Sequence, residues 1–204
     1  MKSKEFILNN PLLCHKIKPG DIFCTGNPNV IGRLIKLKSK AEYAYADMFV
    51  NHIGISRGGY TSLEARWWVG RFNIKDYFDN KSSLVIFRDT RLDDKHRNIL
   101  SVNIDKIKFR FYDFLGILGQ TISYFTKIEY FERLQDKHAF FCSELVATLY
   151  KESFGDLLKI SDKEFISYID PQDIYMYMRA DYKSFKPILT IKEGDVVWFN
   201  QNGM

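Results

Sequence analysis

Cys142 stands at a junction in the sequence, between an aromatic run that ends at Phe141 and the amphipathic stretch 142–153. The apolar spacing of that stretch predicts a helix, with Gly155 as its terminator. The free amides and the macrodipole of a helix N-terminus favour an anion, so a thiolate at this place is stabilised. Cys142 is therefore the candidate nucleophile. The alternative interpretation is a buried structural cysteine, because free cysteines are among the most buried residues.

A reactive thiol needs a base, and the chain offers four histidines: His15, His52, His96 and His138. His96 is expected on a solvated helix face, and His138 in a loop. His52 opens the apolar run 53–55 on a predicted strand, which would hold its ring firmly enough for proton transfer. His52 is therefore the candidate base, and a half-buried strand histidine without a chemical role is the alternative.

Glu64 is the candidate for the group that orients the base. A hairpin turn predicted at 57–60 pairs residues whose numbers sum to roughly 116–118 across two antiparallel strands. His52 and Glu64 therefore lie nearly opposite each other, where cross-strand side chains approach within about 5–8 Å. A carboxylate at this place can hold the imidazole in the tautomer that a catalytic triad requires. The alternative is a strand glutamate that faces solvent.

The composition restricts the class of protein. The 204 residues are 46% apolar and 27% charged, which suits one globular domain and excludes wholesale disorder. The formal net charge of +5 permits an acidic ligand or peripheral contact with a membrane surface. Both signs are interspersed, however, and without a basic arm or finger motif no nucleic-acid partner is expected.

The cysteines and the apolar stretches bear on compartment and cofactor. Three cysteines, Cys14, Cys24 and Cys142, cannot all pair within one chain, so a reducing setting is expected. No N-terminal run reaches the roughly 7–15 apolar residues of a secretory signal, and 114–126 is shorter than the roughly 20 of a membrane helix. We therefore expect a cytoplasmic protein. Cys14-His15 lacks a second ligand pair at zinc spacing, so neither a metal nor another cofactor is expected.

Strands and helices that would position these residues follow from β-rich and amphipathic runs. The expected strands are 21–25, 48–56, 61–68, 83–88 and, after a turn, the end of 192–199. The expected helices are 30–37, 93–101, 111–125, 142–153 and one that begins at a capping box over 161–164. Pro171 is expected to break that last helix. Strands followed by helices, with no Pro/Gly/Ser-rich linker between them, predict a single α+β domain.

Five short segments carry a resemblance to a known family. They are KPGDIF (18–23), IGRLI (31–35), NHIGI (51–55), LEA (63–65) and FCSELV (141–146). In this order they resemble the circularly permuted papain-like enzymes, the YaeF/YiiX-like branch of the NlpC superfamily, related to the lecithin:retinol acyltransferase group. No histidine follows Cys142, so only the permuted order can supply a Cys–His pair.

The resemblance implies one papain-like (NlpC-type) domain over 1–204, an antiparallel sheet or small barrel packed against helices. Its core would span about 18–150, and helices and a strand over 151–204 would complete it. Two features depart from the family pattern: Asn51 replaces the serine that often precedes the histidine, and the segment 89–138 is longer than expected.

By resemblance, Cys142 maps to the nucleophile, His52 to the base and Glu64 to the third member of the triad. The substrate-binding candidates are Trp67, Trp68, Phe141 and Tyr112, the last of which belongs to a Tyr-Asp pair that the family tends to place before its cysteine helix. The activity so implied is hydrolysis of a small-molecule, peptide or lipid amide through an acyl-enzyme. A lipid acyltransferase or thioesterase, and a non-catalytic binding or structural protein, are the alternatives.

Overall fold

The computed structural model describes residues 13–26, 47–78, 82–107, 123, 126, 141–155, 169–192 and 195–198. In chain order the described elements are α1 (Leu13–Lys16), β1 (Ile22–Gly26), β2 (His52–Gly58), β3 (Thr61–Ala65), β4 (Val69–Asn73), a 3₁₀ turn (Ile74–Tyr77), β5 (Ser83–Asp89), α2 (Asp94–Lys106), α3 (Cys142–Phe154), α4 (Pro171–Ala180), β6 (Phe185–Lys192) and β7 (Asp195–Trp198). The expected helix at 30–37, nearly all of the one at 111–125 and the capping box at 161–164 lie outside these residues.

The seven described strands form one antiparallel sheet in the order β4-β3-β2-β1-β5-β6-β7. The apolar strand β1 lies at its centre, and its residues Ile22, Phe23 and Cys24 are fully buried. Because successive side chains of a strand point to opposite faces, these three contribute to both sides of the sheet. The α+β class expected from the sequence is therefore confirmed.

A hydrophobic core lies on each face of the sheet. The helix-side core includes Cys24, Ile53 and the buried residues of α2, α3 and α4. The second core includes Phe23, Tyr77 and Phe78, together with apolar residues of β5 and β6. The central strands are thus held from both sides, which gives the side chains that they carry a rigid support.

The hairpin β2–β3 differs from its predicted bounds. β2 begins at His52 rather than at Met48, because the 47–51 segment is irregular and leads into the strand. The chain reverses at Gly58 and Gly59, whose positive φ angles of 105° and 60° strain residues with a Cβ. β3 ends at Ala65 rather than at 68, and a tight connection then leads into β4, which the sequence did not predict.

The C-terminal part of the described chain also corrects the sequence prediction. Pro171 is the first residue of α4, where its missing N–H costs nothing, and Asp170 caps that helix, which the sequence did not predict. The helix that Pro171 was expected to break lies outside the described residues. β6 was not expected, since Pro187 lies in its middle. The structure accommodates this proline at a shift of the β5–β6 register between Ile86 and Phe87. α2 ends at Lys106 instead of 101, whereas the strand before 199 is confirmed as β7.

Candidate active site

Cys142 is the first residue of α3, as the sequence predicted, and the helix ends at Gly155. The helix packs across β2 and β3, and the hydroxyl of Ser143 donates to the Ile169 carbonyl at 2.6 Å, which anchors the first turn. Phe141 occupies the N-cap, and its side chain has no oxygen that could accept from the first-turn amides. No capping side chain therefore neutralises the partial positive charge at the start of the helix, and this charge acts on the Cys142 sulfur.

His52 is the first residue of β2, so its ring lies at the end of the sheet, and 13% of the side chain is exposed. Hydrogen bonds fix the chain just before it. The Asn51 amide donates to the Thr25 carbonyl of β1 at 3.1 Å. The side chain of Gln172 on α4 accepts from the Val50 amide at 2.7 Å. The backbone that carries the histidine is therefore tied both to the neighbouring strand and to a helix.

Glu64 meets His52 diagonally across the hairpin. Oε2 of the glutamate lies 2.9 Å from Nε2 of the histidine, while the register pairs Glu64 with Gly54. The residue numbers of this pair, Gly54 and Glu64, sum to 118, which lies within the range predicted for the hairpin. Gly54 makes room for the arrangement, because a Cβ there would lie 2.4 Å from the Phe23 ring and 2.7 Å from Glu64 Cγ.

The carboxylate of Glu64 is fully buried and accepts hydrogen bonds from four side chains. Besides His52, the donors are the Ser62 hydroxyl, the Tyr77 hydroxyl at 2.5 Å and Nε of Arg66 at 2.8 Å. Burial alone would raise the pKa of this carboxyl, but hydrogen bonds and charge from His52 and Arg66 lower the pKa of Glu64 to about 2. Glu64 is therefore an anion at any physiological pH.

Tyr77 approaches the carboxylate from the 3₁₀ turn that follows β4. Asn73 caps this turn by accepting from the Lys75 amide at 3.0 Å. Burial and the adjacent Glu64 charge raise the pKa of Tyr77 far above its usual range, so its hydroxyl stays protonated and can only donate to the carboxylate. The ring also packs against Phe23, at 5.6 Å between ring centroids, and against His52 at 5.9 Å.

His52 contacts Cys142 as well as Glu64. Burial lowers the pKa of His52, but charge and a hydrogen bond from Cys142, and the same two contributions from Glu64, raise the pKa of His52 to about 9. Because Nε2 faces Glu64, the ring nitrogen left for the thiol is Nδ1. The structure thus brings together Cys142, His52 and Glu64, and it favours the protonated imidazole of His52 beside the sulfur.

The described residues do not form a metal site. No three of their histidine, cysteine, aspartate or glutamate side chains cluster as a donor set. Both oxygens of Glu64 already accept from the Ser62 and Tyr77 hydroxyls, from Arg66 and from His52, and the positive charges of the last two would oppose a bound cation. The donor groups at His52 therefore do not fit a bound metal.

The substrate-binding candidates are placed differently from one another. Trp67 and Trp68 are 67% and 44% exposed in the β3–β4 connection and do not lie on the strand that was expected over 61–68. Trp68 packs on Phe72 at 5.9 Å between ring centroids. Phe141 is buried at the N-cap of α3, beside the thiol. Tyr112 lies outside the described residues.

Sequence reasoning missed three residues of the Glu64 network: Ser62, Arg66 and Tyr77. Strand alternation offered a signal for two of them, since Ser62 and Arg66 stand two residues before and after Glu64 and so share its face. The guanidinium of Arg66 also stacks on Phe72, 4.2 Å from the ring centroid. Tyr77 gave no such signal, because its position depends on where β4 ends.

Comparison with known proteins supports the fold. No family model matches the sequence, and neither does any curated protein. Among solved structures the chain is similar to the metalloprotein YiiX (DUF1105) from Escherichia coli O157:H7, with a TM-score of 0.55 and 15% identity. The match covers 86% of this chain and 96% of that chain, so this chain has a YiiX-like fold. None of the described helices has the length and apolar character that crossing a bilayer requires.

Proposed function

We propose that the protein is a cysteine hydrolase of the permuted papain-like type, in the NlpC superfamily, and that it cleaves an amide bond. The observation that carries this proposal is the contact of one imidazole with both the Cys142 thiol and the buried anion of Glu64. A histidine that served packing alone would not need an ionised carboxylate that three further side chains hold in place. Three cysteines without a disulfide suit a reducing compartment such as the cytoplasm.

In the reactive form the thiol proton of Cys142 is already on Nδ1 of His52, whose pKa of about 9 keeps the imidazole protonated near neutral pH. The sulfur of Cys142 then attacks the amide carbonyl carbon, a C–S bond forms, and the carbonyl π electrons move to oxygen. The backbone N–H of Cys142, at the start of α3, donates to this oxyanion. When the intermediate collapses, the C–N bond breaks and the leaving amine takes the proton from His52.

Hydrolysis of the thioester completes the cycle. His52, now neutral, removes a proton from water as the oxygen attacks the acyl carbon, and the C–S electron pair returns to Cys142. Glu64 takes no proton in either half of the reaction. It orients the ring through Nε2 and stabilises the imidazolium, and Arg66, Tyr77 and Ser62 keep the carboxylate ionised and in place.

Acylation of the protein by an activated substrate tests the proposal. Intact-mass spectrometry after mixing with p-nitrophenyl acetate should find one acetyl group on the wild type and none on Cys142→Ala. Cys14→Ala is the matched control, because it removes a more exposed thiol and should leave acylation unchanged. A p-nitroanilide substrate then measures amide cleavage. Acylation of Cys142→Ala at the wild-type rate, or a wild type that is not acylated at all, would contradict the proposal.

The same acyl-enzyme could pass its acyl group to an amine or a lipid hydroxyl instead of water. Adding a primary amine during turnover distinguishes the two outcomes. Hydrolysis predicts free acid as the main product, whereas a dominant N-acyl product would identify an acyltransferase that uses the same nucleophile. A protein that binds acyl chains without acylation of Cys142 would instead be a binding protein.

A further inference from the structure

Thr25 combines complete burial with a hydroxyl that has no partner. Its side chain is 0% exposed, and Oγ1 makes no hydrogen bond to any of the described residues. Buried polar groups are nearly always paired, because burying a hydroxyl without a partner is unfavourable. Valine has the same branched shape without this disadvantage. An unpaired threonine hydroxyl at the centre of a sheet therefore points to a partner that arrives with a ligand.

The register places this hydroxyl beside the candidate base. Thr25 is the direct partner of His52 in the β1–β2 ladder, so the two side chains share a face with Cβ atoms about 4.5–5.5 Å apart. The other strand neighbour of Thr25 is the apolar Leu84 on β5. Both ring nitrogens of His52 are already engaged, Nε2 by Glu64 and the other by Cys142, so His52 is not a partner for Oγ1.

The same stretch of β1 lies close to the nucleophile. Cys24 precedes Thr25, and burial together with the charge of Cys142 raises the pKa of the Cys24 thiol. Cys24 and Thr25 point to opposite faces of β1, so the side chain of Thr25 is related to the Cys142 sulfur through His52, which contacts that sulfur and lies directly across the ladder. The backbone of Thr25 is fixed between β2 and β5, so the hydroxyl is held in place before a substrate binds.

We propose that the Thr25 hydroxyl is a catalytic hydrogen-bond donor that, with the Cys142 N–H, stabilises the oxyanion formed when the Cys142 sulfur attacks an acyl carbonyl. This inference rests on the proposed hydrolase function and supplies a second donor for its oxyanion. The hydroxyl donates its hydrogen to the negative oxygen, forms no covalent bond and transfers no proton. A donor that has no hydrogen bond within the described part of the chain has none to break when that charge develops, and it is already oriented by the strand that carries it.

Two variants and two reactions test the inference. Thr25→Val removes the hydroxyl and keeps the shape, and Thr25→Ser keeps the hydroxyl. Acylation by p-nitrophenyl acetate passes through a tetrahedral oxyanion, whereas alkylation by iodoacetamide at the same sulfur does not. We expect Thr25→Val to slow acylation by about 10²–10³-fold, the usual effect of removing one oxyanion donor, and to leave alkylation unchanged. Thr25→Ser should retain most of the acylation rate.

Thermal melting adds a readout that does not depend on activity. Because the wild-type hydroxyl is unpaired, Thr25→Val should melt at or above the wild-type temperature. Three results would overturn the inference: wild-type acylation by Thr25→Val, equal slowing of acylation and alkylation, or a large loss of stability in that variant. If the wild type itself is not acylated, both the proposed function and this inference are wrong. If the wild type is acylated and Thr25→Val is acylated at the same rate, only this inference is wrong.

Discussion

Nε2 of His52 lies 2.9 Å from Oε2 of Glu64, although the strand register sets Glu64 opposite Gly54. The imidazole therefore extends along the hairpin, toward the turn, to reach a carboxylate on the next strand. This direction uses Nε2 for the carboxylate and leaves Nδ1 near the end of the sheet, where α3 begins with Cys142. A single diagonal contact thus decides which ring nitrogen serves the thiol, and several measurable properties depend on it.

Cys142 should react first when limiting iodoacetamide is added at near-neutral pH. Cys142 lies at the start of α3 in contact with the protonated imidazole of His52, whereas burial raises the pKa of Cys24 and keeps that thiol protonated. Cys14 is the most exposed of the three, so labelling of Cys142 ahead of Cys14 separates reactivity from access. Peptide mapping by mass spectrometry measures the order. Earlier labelling of Cys24 or Cys14 would remove Cys142 as the nucleophile.

Amide cleavage should decrease as the pH rises through about 9. The pKa of His52 is about 9, so the imidazolium that must protonate the leaving amine is lost over this range. Rates of p-nitroanilide hydrolysis between neutral pH and pH 10 measure the effect. Alkylation by iodoacetamide, which needs no proton from His52, provides the control and should not decline. Parallel loss of both reactions would mean that alkali damages the fold rather than titrates the histidine.

Glu64→Gln should destabilise the fold, in addition to slowing acylation. Glutamine has one acceptor oxygen, and its amide group would face the donors that now bind the carboxylate. The expected loss of unfolding free energy near pH 7 is about 3 kcal/mol, typical for removing one partner of a buried ionic network. Asp105→Asn is the control, because Asp105 is half exposed and its ion pairs with Arg57 and Arg71 should contribute little.

The effect of Glu64→Gln should also depend on pH with a defined sign. The folded-state pKa of Glu64, about 2, is below its ordinary value of 4.5. The ionised carboxylate therefore stabilises the wild type fully above pH 4.5, and this contribution is lost as the pH falls toward 2. Urea unfolding at pH 7 and pH 3 should show a smaller difference between wild type and variant at the lower pH. An equal difference at both values would contradict the lowered pKa.

Two tyrosines allow a matched test of the Glu64 network. Tyr77→Phe removes a hydroxyl that donates to an anion, and should cost about 1.5–3 kcal/mol of unfolding free energy. Tyr60→Phe removes a buried hydroxyl that has no partner, and should be neutral or stabilising. Each ring keeps its aromatic neighbour, Phe23 for Tyr77 and Phe78 for Tyr60. Similar unfolding midpoints for the two variants would show that the hydrogen bond from Tyr77 to Glu64 does not stabilise the fold.

Local signals predicted the parts of the site that lie on regular elements. The turn between two β-rich runs predicted the hairpin, and the observed pairing of Gly54 with Glu64 falls in the predicted register. The apolar spacing after Cys142 predicted a helix that starts at that residue. In both cases the information is contained in a short stretch of chain, because turn geometry and amphipathic periodicity are local properties.

Long-range packing determined the features of the fold and the site that local sequence signals did not predict. Tyr77 reaches Glu64 only because β4 returns along β3 and ends in a 3₁₀ turn, and a strand with Gly70 near its start gives a weak signal. The helix α4 was not predicted, because Pro171 was interpreted only as the end of a preceding helix, whereas a proline also begins helices. Trp67 and Trp68 were assigned to a strand by their β propensity, whereas the chain turns there.

The order of strands in the sheet has a consequence for the newly made chain. β5 pairs on one side with β1 and on the other with β6. Leu84 of β5 therefore cannot pair with Ile191 of β6 until the ribosome has synthesised that much later part of the chain. Until then β5 is an edge strand whose apolar residues and open amides offer a template to other nascent chains. Pairings between such distant residues also slow folding. We therefore expect the polypeptide to depend on chaperones during its synthesis more than a helical bundle of similar size would.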